Sequence, residues 1–207
     1  MSEEYWKINN CVETAPAGFK QIIRWLDREL PAEQPLDNLL EAGCGAAAFT
    51  PHLARRAGHM RACDISATQI AANCKDHPDV SFFVQDLGNP IAAESKTFDA
   101  LWCAETLDRL PDPAFAIDEF YRVLKPGGKL LLVVPCHSLF KNLMIALFKW
   151  NTHFAPDNPR IRFFTVNMLS GLVKKTGFRN MKVETCGTNN PLTGLFAPAH
   201  ILLSAKK

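Results

Sequence analysis

The sequence predicts one α/β domain built around a largely parallel sheet. Three observations carry that expectation. Short apolar strands alternate with amphipathic helical stretches along most of the chain. A glycine-bearing turn directly follows the first strand. Residues 129–134 (KLLLVV) are apolar from Leu130 onward, as expected of a strand buried on both faces. At 207 residues the chain suits one large domain rather than two.

The elements follow in order. Residues 17–30 carry Phe19, Ile22, Ile23, Leu26 and Leu30 at helical spacing ahead of the first strand. Residues 37–41 (DNLLE) form that strand, and residues 46–57 form a helix with Phe49, Leu53 and Ala57 on one face. Residues 60–63 are the second strand, and Ser66 is the N-cap of a helix reaching Lys75. Residues 80–84 and 98–103 are the third and fourth strands. Residues 114–124 form a helix, and Pro126-Gly127-Gly128 is a stop and turn into the fifth strand. Residues 138–151 are a very apolar helical insertion, followed by a polar loop to Arg160. A helix over 165–175, a strand over 179–186, a loop over 187–198 and a strand over 200–204 complete the chain. Strands and helices alternating through short connections imply right-handed crossovers. Ligands of such sheets bind beyond the carboxyl ends of the strands, near the switch in strand order.

Composition bounds the function. Apolar residues make up 47% and charged residues 21%, ordinary values for a soluble domain with a sizeable core. A net charge of +2 is too weak to argue for nucleic acid or an acidic membrane surface. The start Met1-Ser2-Glu3-Glu4 is not a secretory leader, and no stretch approaches the length of a membrane span. Seven scattered cysteines, never spaced Cys-x-x-Cys, argue against a disulfide framework and against a zinc site. The expectation is a cytoplasmic protein that needs no metal.

Three loops on one rim of the sheet carry acids. Glu41 ends a buried strand, where an unpaired carboxylate is costly, so it needs a cationic or hydrogen-bonding partner. Gly43 and Gly45 follow it and allow close backbone approach to a ligand. Asp64 ends the second strand about twenty residues on, where an acid can accept hydrogen bonds from ribose hydroxyls or cap the next helix. Asp86 ends the third strand and could take an adenine amino group or be solvated. So acidic a rim repels a phosphate-bearing dinucleotide and favours a cationic ligand carrying a ribose.

At the level of motifs, the segments LEAGCGAAAF, CDIS, VQDL, FDALWCAETLDRLPDP and FYRVLKPGGKLLLVVP resemble the class I S-adenosylmethionine-dependent methyltransferases, in particular the small-molecule group of ubiquinone/menaquinone-biosynthesis type. The likeness covers residues 37–135 well and the remainder more loosely. It implies a Rossmann-like, seven-stranded, mostly parallel sheet with helices on both faces and an antiparallel C-terminal edge hairpin. It also implies a single domain over 1–207, with 1–36 as an N-terminal helical extension and 138–160 as a helical insertion able to serve as a substrate lid. The cofactor implied is S-adenosylmethionine, leaving as S-adenosylhomocysteine. Glu41 would help hold its ammonium, with Gly43 and Gly45 passing close to it. Asp64 would bind the ribose and Ile65 would pack on adenine. Asp86 would take the adenine amino group beside the Leu87 backbone, and the strand end around Cys103 would contact the methionine part. One departure is Ala47, where the family's third loop glycine stands. Asp108-Arg109 replaces a common Glu-His pair and reads as a salt-bridged or solvated surface pair.

Methyl transfer to a small organic acceptor follows from the resemblance, and a base is needed only where the acceptor must lose a proton. His137, directly after the fifth strand, and His153, beyond the insertion, are the candidates, each against the plainer reading of a structural histidine. Acceptor specificity is expected from Tyr5, Trp6 and the insertion. Burial in the core is the default for that insertion; a lid, a homodimer contact and a membrane-surface helix are its other uses, the last least favoured with only two lysines. Competing functions are a non-catalytic S-adenosylmethionine-binding protein and, disfavoured by Ala47, a nicotinamide or flavin oxidoreductase.

Overall fold

A computed structural model describes residues 16–155, 158, 160–187 and 198–207. Tyr5, Trp6 and most of the 187–198 loop lie outside them. The sheet has seven strands in the order β3-β2-β1-β4-β5-β7-β6: β1 (Leu36–Ala42), β2 (Ala57–Asp64), β3 (Ser81–Val84), β4 (Phe98–Ala104), β5 (Leu124–Pro135), β6 (Arg179–Cys186) and β7 (His200–Lys206). The first five are parallel, and β7 pairs antiparallel with both β5 and β6. Strand order reverses between β1 and β4, so the loops after these two strands border the crevice where ligands of this architecture sit.

Strand alternation distributes the core over both faces. Leu40, Ala42, Leu101, Cys103, Leu130, Leu132 and Val134 point to one side, against α4 (Pro113–Val123) and α7 (Val166–Thr176). Leu39, Ala100, Trp102, Leu131 and Val133 point to the other, where α1 (Phe19–Glu29), α2 (Thr50–Ala54) and α3 (Ala67–Asp76) contribute Ile22, Trp25, Leu53 and Ile70. The caps are local and legible. Ser66, Asp112 and Thr165 accept backbone N–H groups at the starts of α3, α4 and α7, and Gly177 closes α7 in the left-handed conformation.

Three expectations need correction. The helix over 46–57 is only Thr50–Ala54, because Gly45 and Ala47 hold φ of 48° and 59° and the chain turns until Phe49. Pro126-Gly127-Gly128 does not end an element. It lies inside β5 as an irregularity against β4, with Gly127 at φ 78° and Gly128 so close to Lys125 O that a Cβ would stand 2.8 Å from it. The insertion divides into α5 (Leu139–Phe148) and α6 (Trp150–His153) and is not core: of α5 only Ile145 is buried. Among the described residues no helix is long and apolar enough to cross a membrane.

Candidate functional site

Glu41, the penultimate residue of β1, is 2% exposed and receives a 2.6 Å hydrogen bond from Thr50 Oγ1 on α2. The expected partner is thus a hydroxyl, not a cation. Burial, only partly offset by that bond and reinforced by the nearby Asp64 charge, pushes the carboxyl up to about 8. The glycine loop then crosses to β4. Gly43 has φ 81°, and a Cβ there would stand 2.2 Å from Thr106 Oγ1, so only glycine fits between the two crevice walls.

Asp64 ends β2 and organises two loops at once. Its Oδ2 accepts the Gly45 N–H at 3.0 Å and its Oδ1 accepts the Ser66 N–H at 2.9 Å. The N-cap of α3 is Ser66 itself, which accepts from Gln69 N, so Asp64 is not merely a cap. Each carboxylate oxygen keeps a second lone pair for a ligand hydroxyl. Ile65 beside it is half-buried. Asp86 is exposed and accepts from Gly88 N at 2.8 Å and Asn89 Nδ2 at 3.2 Å, a compact acidic turn. The Leu87 side chain belongs to the core, which leaves its backbone for any ligand contact. The Cys103 side chain is likewise fully buried, and β4 runs one residue beyond it to Ala104.

The residue that reaches the rim is Glu105, at φ 53°, a left-handed conformation that costs about 1–3 kcal/mol for a non-glycine residue. Its Oε1 lies 3.0 Å from His200 Nε2 on β7, and its Oε2 accepts from Arg160 at 3.1 Å. Arg160 also donates to Asp108 Oδ2 at 3.1 Å, while Ile161 N and Arg162 N both donate to Asp108 O at 2.9 Å. Asp108 is 1% exposed, so it is ion-paired as expected but in the interior and not at the surface, while Arg109 is half-buried. Burial and the neighbouring Glu105 lift its carboxyl to about 6. Burial alone would lower His200, but Cys186 and Glu105 override it and hold the imidazole up at about 9. Burial alone would raise Glu105, but His200 and Arg160 hold it down. Neither Glu105, Arg160 nor His200 stood out from the sequence. The signal available was the one that flagged Glu41: an acid closing an apolar strand.

His137 is buried beside this cluster, its Nδ1 3.2 Å from Asn142 Oδ1, its ring edge-on to Phe163 and 5.3 Å between centroids from His153. Burial and the Lys141 ammonium push it down to about 4, so it is neutral at pH 7. It opens on a cavity of 190 Å³ whose other walls are Asn142, Ile145, Trp150, Phe154 and Phe163.

The donor set along the rim fits a ligand that is cationic at one end and bears a ribose: one deep carboxyl, a backbone cradle that admits no Cβ, and a carboxylate with free lone pairs held by two N–H groups. A protein-family model described as a methyltransferase domain matches residues 16–183. The chain is 32% identical over 98 residues to the ubiquinone biosynthesis O-methyltransferase of Xylella fastidiosa strain 9a5c, covering 45% of this chain and 40% of that one. It is 27% identical over 159 residues to the chloroplastic tocopherol O-methyltransferase of Arabidopsis thaliana, covering 66% and 44%. The matched region is thus less than half the length of either relative. An S-adenosylmethionine-dependent methyltransferase from Mesorhizobium loti superposes with a TM-score of 0.70 at 17% identity, over 94% of this chain and 99% of that one. Phosphoethanolamine N-methyltransferase 2 of Haemonchus contortus, solved in complex with S-adenosyl-L-methionine, gives 0.69 at 15% identity, over 99% and 56%. At these identities the structural likeness is one of fold.

Proposed function

The chain belongs to the methyltransferase-domain family, and on that premise we propose that it transfers a methyl group from S-adenosylmethionine to a hydroxyl of a small, apolar, ring-bearing acceptor. The observation that carries the reading is the Asp64 carboxylate, pinned by Gly45 N and Ser66 N at the strand ends beside the switch point. In this reading Glu41, Gly43 and Gly45 hold the amino-acid end of the cofactor, Asp64 the ribose, and Ile65, Asp86 and the Leu87 backbone the adenine. When bound, the cofactor supplies a methyl group already activated on a sulfonium, which leaves as the neutral thioether of S-adenosylhomocysteine.

The protein's own work is placement and proton handling. Holding the acceptor oxygen in line is worth about 7–11 kcal/mol. The aromatic cavity beneath α5 and α6 supplies that hold, with residues 138–160 as its lid and the Arg160 cluster fixing the lid's return to the sheet. The two most informative relatives are named as O-methyltransferases, which supports oxygen as the acceptor atom. His137 is the base. With Nδ1–H donating to Asn142, its Nε2 is the basic atom. The ring is neutral at pH 7 and so able to take the hydroxyl proton as the oxygen gains the methyl. Such a base adds about 10²–10⁴-fold.

Calorimetric titration with S-adenosylhomocysteine tests the reading. Micromolar binding by the native chain, lost in Asp64→Ala, is expected. Absence of binding by the folded native chain would refute it.

A further inference from the structure

The insertion turns the usual amphipathic logic outward. On α5, at 100° per residue, Leu139, Leu143, Leu147, Phe140, Met144 and Phe148 fall in succession over an arc of about 180°. All six are exposed, by 89%, 53%, 63%, 49%, 38% and 72%. The buried side is held by Ile145, and by Lys141, whose ammonium donates to Cys136 O at 2.8 Å. Trp150 and Phe154 extend the apolar surface at 58% and 46% exposure. Their rings also wall the cavity beside His137, so the patch and the cavity are continuous.

We propose that α5 and α6 form a docking face for the surface of an anionic lipid bilayer. Three features favour that occupant over a second copy of this chain. The exposed arc offers no hydrogen-bonding side chain, whereas protein interfaces carry a polar rim and about one hydrogen bond per 100–200 Å². At ten residues α5 is too short to span a bilayer, but its exposed apolar arc is the kind of face that beds into the headgroup boundary. The charge is complementary: no acid stands between Glu119 and Asp157 in the sequence, and Lys149, directly after α5, is exposed. The small net charge conceals a wider asymmetry. Residues 120–207 carry 13 Lys and Arg against two acids, and residues 1–119 carry 10 against 19. An apolar acceptor could then pass from the lipid into the cavity beneath Trp150 and Phe154. The docking goes beyond the methyl-transfer reading and holds or fails independently of it.

Co-sedimentation of the full chain with phosphatidylcholine vesicles, with and without phosphatidylglycerol, tests the proposal. Binding is expected to the mixed vesicles, to weaken with salt, and to fall at least tenfold in Leu143→Gln/Leu147→Gln, whose changes are both on exposed positions. Lys149→Glu should weaken binding to the mixed vesicles and leave phosphatidylcholine unaffected. Failure of the folded native chain to sediment with either vesicle would overturn the proposal, as would sedimentation unchanged by the double substitution. So would a dimer in light scattering that the double substitution converts to monomer, since a second copy would then cover the face.

Discussion

Glu41→Gln separates a carboxylate kept for a ligand from one kept for the fold. Glu41 has a value near 4.5 when unfolded, and burial raises it to about 8 in the fold, with Thr50 as hydrogen-bond donor. The folded-state value lies above the unfolded one. The fold therefore carries no penalty from this group below pH 4.5, loses stability steadily as pH rises toward 8, and loses nothing further beyond. At about 1.4 kcal/mol for each pH step, the loss at pH 7 is about 3 kcal/mol. Glutamine keeps the shape and can accept the Thr50 hydrogen bond, but does not titrate. The variant should match the native chain near pH 4.5 and exceed it by about 3 kcal/mol at pH 7. Affinity for S-adenosylhomocysteine should move the other way, falling about tenfold, because a neutral amide cannot ionise to meet an ammonium. Urea unfolding followed by tryptophan fluorescence at about pH 5 and about pH 8, with calorimetric titration alongside, measures both. A variant with no stability gain at the higher pH would refute the buried, uncompensated carboxyl. A gain with unchanged affinity would remove Glu41 from the ligand site.

Gly43→Ala should abolish cofactor binding and lower stability by about 1–3 kcal/mol, since its Cβ meets Thr106 Oγ1 and its φ is positive; denaturant midpoints check this. Ala47→Gly should relieve the left-handed strain at φ 59° and raise the melting temperature, by an amount worth about 1 kcal/mol; an unchanged or lower value would mean that the loop is unstrained. His137→Gln should cut turnover about 10²–10⁴-fold and leave S-adenosylhomocysteine affinity intact, and equal turnover would remove it from the mechanism. His200→Gln should be destabilising near pH 6 and nearly neutral near pH 10, because a value raised from 6.5 to about 9 stabilises the fold below 6.5 and ceases to as pH climbs through 9.

The parts of the fold that were legible follow from local rules. Leu130–Val134 announces a doubly buried strand because water is excluded from both faces, and Ser66 announces a helix start because a hydroxyl can take the orphan N–H groups. The family resemblance drawn from the glycine loop and the FYRVLKPGGKLLLVVP segment is borne out by the family match. Where local rules misled, a longer-range constraint prevailed. Pro126-Gly127-Gly128 looks like a stop in one dimension. In three, it is an irregularity tied to the last residue, with Gly127 N donating to Lys207 O and Lys207 N to Gly128 O. The apolar insertion looks like core because burial is the usual fate of such a stretch, but core requires a facing surface, and of α5 only Ile145 is covered.

The two halves of the site differed in legibility for a related reason. On the cofactor side each acid is within a few residues of the backbone groups it organises, or one parallel strand away: Asp64 takes Ser66 N and Gly45 N, and Asp86 takes Gly88 N. Around the His137 cavity the partners are Glu105, Asp108, Arg160 and His200, joined by contacts that span 52 to 95 positions, and only Glu105, an acid closing an apolar strand, carries a local signal. Assembled, they place a paired network at the end of β4, where it fixes residues 160–162 to the sheet, while the apolar arc of α5 is exposed. The root of the insertion is thus held by partly buried polar contacts, and its outer face is apolar and exposed. Under the methyl transfer proposed above, that division lets residues 139–155 vary with the acceptor while the geometry of the Asp64 rim stays fixed.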